Sequence, residues 1–131
     1  MSYQENVLDV SMKNTNFRRV LHTGEKSQLV VMNIPVGVDV GEETHAHVEQ
    51  TLYFQSGSGM AILDGVETNV GPGDVVMVSP GVRHNFINLG TEPLIISTVY
   101  VPPNHIDGRI HKTKEDAVSD VEDEAFGESA V

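Results

Sequence analysis

The chain has no cysteine and no tryptophan, and sets only 8 lysines and arginines against 19 aspartates and glutamates. Without cysteine there can be no disulfide and no thiolate ligand, so any metal must be held by nitrogen and oxygen donors. The shortage of basic residues leaves a net charge of -11. That charge repels phosphate backbones and anionic lipid, and it argues against nucleic acid and membrane surfaces as partners. No apolar run approaches the ~18 residues needed to cross a bilayer, and the N-terminus lacks the basic-then-apolar pattern of a secretory signal. The expected location is the cytoplasm. Convincing amphipathic helical periodicity is also missing before residue 110.

What is present is a series of short apolar runs punctuated by glycine, proline and Asp-Gly. Strands are expected over 17–22, 27–34, 50–55, 60–63, 66–70, 75–78, 85–89 and 94–101. Asp64-Gly65 is a two-residue hairpin signal between the fourth and fifth of these. Five-residue strands with turn signals every ~8 to 12 residues favour an antiparallel sandwich or closed barrel over alternating βα units. The fold class is therefore all-β. At 131 residues the chain matches one domain with one core, and Met32, Ile34, Leu52, Phe54, Phe86 and Ile96 are expected inside it. Residues 1–14 show no strong period and read as coil or a short edge segment.

The chemistry-bearing residues are histidines. His45 and His47 stand one residue apart beside a strand-like run, and alternate residues of an extended chain point the same way, so the pair can converge on one ion. His84 follows a Pro-Gly turn after a second apolar run. A sheet that folds back on itself would close these three into one site.

Gly41, His45-Ala46-His47, Gln50 and Gly57, followed by Gly73, Pro80-Gly81, His84 and Asn88, resemble the two sequence motifs of the cupins, and the match with its flanking strands covers residues 27–103. The gap after His47 is one residue short, Gln50 stands where the motif has glutamate, and the proline is displaced by one. The resemblance implies a single-domain jelly-roll barrel with a lead-in and first strand over 1–26 and a closing segment and acidic tail over 104–131. It further implies a divalent transition metal (Mn, Fe, Co, Ni, Cu or Zn) held by His45, His47, Gln50 and His84. Parity from His47 selects Glu49 as third ligand instead, whereas register counted back from Gly57 selects Gln50.

The segment holding His105 and His111 is similar to the end of short bacterial cupins labelled sugar-phosphate isomerase-like. Residues 115–131 carry seven acids and no base, and a disordered or loosely helical tail is expected there. The function implied is a metal-dependent enzyme acting on a small oxygenated molecule by isomerisation, lyase chemistry or dioxygenation. A non-catalytic binding or sensing module and a purely structural role stand beside it. Glu49, Tyr53, Tyr100, His105 and His111 are the candidate proton-transfer groups. A homodimer built on residues 16–34 is expected, because an open jelly roll has strand edges to cover.

Overall fold

The computed structural model describes residues 2–129; the first residue of the lead-in and the last two of the acidic tail lie outside them. Among the described residues nine strands follow a short helix: α1 (Val7–Lys13), β1 (Arg18–Thr23), β2 (Gln28–Ile34), β3 (Glu49–Ser56), β4 (Gly59–Leu63), β5 (Val66–Val70), β6 (Val75–Val78), β7 (His84–Asn88), β8 (Leu94–Val101) and β9 (Ile110–His111). Two further helices, α2 (Lys114–Ser119) and α3 (Val121–Glu128), close the chain.

The strands form an antiparallel six-stranded sheet in the order β6-β3-β8-β2-β1-β9 and a three-stranded sheet in the order β5-β4-β7. Alternation of side chains along β3 puts Gln50, Leu52 and Phe54 inside, and on β7 the same rule turns His84, Phe86 and Asn88 inward. All six residues expected in the core are buried there. The Asp64-Gly65 turn has φ of 47° and 81°, the left-handed pair that a tight hairpin requires. Gly57 is needed for close approach, since a Cβ added there would lie 2.4 Å from the Pro93 carbonyl oxygen.

The ends of the chain differ from expectation. Residues 7–13 form a helix rather than coil, begun by Asn6, whose side chain accepts from the Asp9 amide. α1 lies against β2, β3 and β8. The acidic tail, expected to be disordered or loosely helical, forms the two short helices α2 and α3. Thr113 and Asp116 make a reciprocal capping box that starts α2, and Asp120 caps the start of α3. Ala117 packs on the core and Asp123 is buried. Composition argued for disorder because the tail has little apolar surface; what holds it is a set of polar contacts instead. Arg18 and Arg19 of β1 pair with β9 on one side while β2 lies on the other, so the N-terminal strands do not form the open edge of their sheet.

Candidate metal centre

The site sits where the loop before β3 meets β7. Glu43 and His84 form a two-way backbone bridge, each amide donating to the other's carbonyl at 2.9 Å. That bridge extends the inner face of β7 across the gap between the sheets, and in an extended loop His45 falls on the same side as Glu43. Ligand atoms of Glu43, His45 and His84 all lie within 4.8 Å of one another. His45 Nε2 donates to a Glu43 carboxylate oxygen at 2.9 Å, and the His45 and His84 ring centroids are 5.3 Å apart.

The chain bends at Ala46-His47, and parity inverts across the bend. Glu43 and His45 point in before it, Val48 and Gln50 point in after it, and His47 and Glu49 are exposed. His47 lines the same cavity, but on its exposed side and outside the Glu43, His45 and His84 group. The register counted from Gly57 therefore describes β3, and Glu49 points to solvent. A carboxylate does stand beside the two histidines, that of Glu43 rather than one at position 50. The sequence offered a signal for this, since Glu43-x-His45 has the same spacing as His45-x-His47.

Each donor is prepared electrostatically. His84 Nδ1 lies 2.9 Å from the Val82 carbonyl, which can only accept, so Nδ1 carries the hydrogen and Nε2 keeps its lone pair. Burial pushes the His84 pKa down and keeps the ring neutral. Burial alone would raise Glu43, but the His45 hydrogen bond and the charges of Arg18 and His45 outweigh it, and its pKa falls to about 2. Gln50 lies opposite Tyr100 in the β3–β8 ladder, both side chains buried. Its amide nitrogen donates to Thr98 Oγ1 at 3.1 Å, while its Oε1 is buried with no partner. A buried carbonyl oxygen without a donor is costly, and a cation is a partner it lacks. Two imidazoles and a carboxylate within 4.8 Å of one another, with the inward amide oxygen of Gln50 besides, are a donor set suited to a divalent transition ion.

Beside this centre is a cavity of about 540 Å³, lined by the 40–48 loop, by Phe17 and Arg18 of the N-terminal arm, and by Asn104, His105 and residues of α2 and α3. Gln28 holds the closing segment: its Oε1 accepts from the amides of Asn104 and His105, and its Nε2 donates to the His105 carbonyl at 2.7 Å. Asp123 accepts from the His105 ring at 2.7 Å and from the Ile106 amide. His105 and His111, candidate proton-transfer groups from the sequence, are both buried. His111, Asp120 and Asp123 make a second cluster, whose acids are already committed to His111, Arg109, His105 and backbone amides. Burial pushes the Tyr100 hydroxyl up to about 12, so it stays protonated. Tyr53 is exposed on the outer face of β3 and takes no part in the cavity.

Two antiparallel sheets enclosing one core, with a histidine and carboxylate cluster between them, define a small β-barrel class. The comparisons make this specific. A cupin domain model matches residues 30–104, and the chain belongs to the cupin family. It is 35% identical over 120 residues to YrkC of Bacillus subtilis, covering 87% of this chain and 64% of that one, so it spans under two thirds of that relative's length. A protein of Acanthamoeba polyphaga mimivirus, L612, is 29% identical over 112 residues, covering 82% of this chain and 70% of L612. The crystal structure of BH2720 from Bacillus halodurans superposes with a TM-score of 0.89 at 32% identity, covering 91% of this chain and 95% of that one. Cupins commonly bind a divalent metal, and the family includes both metal-dependent enzymes and non-catalytic members.

Proposed function

We propose that the protein is a metal-dependent cupin enzyme acting on a small oxygenated molecule, with Glu43, His45, Gln50 and His84 holding a divalent transition ion. The observation that carries this reading is the cluster of Glu43, His45 and His84, whose donors lie within 4.8 Å of one another, in a barrel whose inward-facing Gln50 has a buried, unpartnered Oε1. Such an ion supplies Lewis acidity toward a carbonyl, enol or alkoxide oxygen. The chain's own residues do the rest. Thr98 orients the Gln50 amide, the Val82 carbonyl fixes the His84 tautomer, and the Glu43 carboxylate holds the His45 ring in place. Phe17, Val48 and Ala117 give the adjoining cavity apolar walls that exclude water from part of its floor.

The test is metal content by mass spectrometry, with folding followed by circular dichroism. Wild type is expected to carry close to one equivalent, His84→Ala and Glu43→Gln to lose most of it, and His47→Ala to retain it. Equal metal content in wild type and a folded His84→Ala variant overturns the proposal. Retention by Glu43→Gln together with loss from His47→Ala would restore the three-histidine ligand set.

A further inference from the structure

Among the described residues Arg18 is a cation without an anionic partner. It projects from the inward face of β1, is only 6% exposed, and lines the cavity beside Glu43 and His45. Its guanidinium makes no ion pair within 4.0 Å, and its Nε is buried without an acceptor. The side chains placed against its charge are neutral: the Tyr100 hydroxyl, which it meets as a hydrogen-bonding neighbour, and the Phe17 ring, whose centroid lies 5.5 Å from Cζ. A guanidinium does not titrate in the physiological range, so it cannot escape burial by losing its proton. Glu43 feels the charge of Arg18 at a distance, but its carboxylate is taken up by His45.

The geometry points to Arg18 as the receptor for the carboxylate of a small monoanionic acid, held so that its neighbouring hydroxyl or keto oxygen faces the Glu43, His45 and His84 centre. This rests on the reading of that centre as a metal site and names the substrate class it serves. A planar guanidinium fork matches a carboxylate in two parallel hydrogen bonds, which fixes the direction of the rest of the molecule. Apolar contacts from Phe17, Val48 and Ala117 accommodate the hydrocarbon part. The cavity's other charged groups set an upper limit on the ligand's charge. Glu42, Glu124 and Glu128 stand around the opening, and Lys114 is already paired with Asp39. A phosphate dianion meets that acidic rim with twice the repulsion of a monocarboxylate. Arg18 was not singled out from the sequence, although its parity with the inward Val20 marks it as an arginine facing a barrel interior.

The experiment is calorimetric titration of glycolate and mandelate into the full chain, once stripped of metal with a chelator and once reloaded with Mn(II). Ethylene glycol and 1-phenyl-1,2-ethanediol serve as the uncharged counterparts and inorganic phosphate as the dianion. At least one acid is expected to bind wild type with its diol showing no binding. Arg18→Gln is expected to weaken that acid about tenfold or more, with Arg18→Lys in between because it keeps the charge and loses the fork. Metal content of the variants should match wild type. If Arg18→Gln does not fold, the Arg18→Lys comparison carries the test, with about a threefold loss expected. Equal acid affinity in wild type and the variants, no acid binding in either metal state, or tighter binding of phosphate than of both acids overturns the assignment. Metal retention without acid binding sinks the role of Arg18 alone; acid binding that depends on Arg18 in a chain that never takes up metal sinks the metal reading alone.

Discussion

Nδ1 of His105 lies 2.7 Å from Oδ2 of Asp123, a residue eighteen positions later in the chain, and both side chains are more than nine-tenths buried. The pair joins the closing segment of the barrel to α3. Burial pushes His105 down from its ordinary value, and the bond to Asp123 only partly offsets this. Asp123 would be raised by burial, but its bonds to His105 and to the Ile106 amide bring it below the usual carboxylate value. Both groups thus hold protons less tightly in the folded chain than in the unfolded one, and acid favours unfolding. This stabilisation is complete above about pH 6.5, the ordinary histidine value. It declines as the pH falls through that value and then through the carboxylate range. Asp123→Asn should melt several degrees below wild type at about pH 7, with the gap closing below about pH 4 as the wild-type carboxylate protonates. A gap that stays constant across the titration, followed by circular dichroism, rules out this role for the pair.

The contacts of α2 and α3 predict that the tail is needed for full stability. Ending the chain after Lys114 removes the Ala117 contact with the core and leaves His105 buried without its carboxylate. Losing one partner of a buried polar pair costs about 1 to 3 kcal/mol, so the melting temperature should drop by about 5 °C or more. Val118→Asp and Val121→Asp, at positions 68% and 74% exposed, should change it little. An unchanged melting temperature in the truncated chain would mean that α2 and α3 contribute nothing to folding.

At the metal centre the decisive contrast is between neighbours. Gln50→Ala removes a buried oxygen with no other partner, whereas Glu49→Ala alters a side chain that points to solvent. In titrations of Mn(II) into metal-free protein, Gln50→Ala is expected to lose about tenfold or more in affinity and Glu49→Ala to lose little. Gln50→Glu, which adds a second carboxylate, is expected to bind more tightly than wild type. The opposite ordering of the two alanine variants would place Glu49 on the metal.

Gly57 offers a test of the barrel that leaves every donor in place. Its φ of 83° suits glycine, and an added Cβ would overlap the Pro93 carbonyl oxygen at 2.4 Å. Gly57→Ala is expected to destabilise by about 1 to 3 kcal/mol from backbone strain, with further loss from the clash. Chemical denaturation that gives the variant wild-type stability would show that the turn relaxes without cost.

The strand skeleton was legible because each of β2 to β8 combines β-branched residues with a glycine, proline or Asp-Gly stop. β5, β6 and β8 fall on the expected residues, and the others within a residue or two. What was not legible depends on single polar contacts. α1 has seven residues and one buried side chain, Ser11, too short a run for an amphipathic period to emerge. The tail looked disordered because its order comes from one buried aspartate and a capping box rather than from an apolar stripe. The capping spacing Thr113-x-x-Asp116 and the Asp120-x-x-Asp123 repeat were the available signals. Within the candidate centre, His45, His84 and Gln50 follow from the motif. Glu43 was missed because the bend at Ala46-His47 reverses parity in mid-motif, and no local pattern announces a bend of two residues.

That much of the cavity wall comes from residues beyond 103 while the candidate centre is drawn from residues 43–84 has an evolutionary reading. The two parts occupy separate stretches of sequence and are joined by a few contacts, among them the Gln28 clamp, the Lys114–Asp39 pair and the Tyr100 ring against His105. Changes in α2 and α3 can therefore enlarge, shrink or recharge the space in front of the centre without disturbing its donors. The reacting end of the molecule and the part that selects what reaches it are free to diverge at different rates.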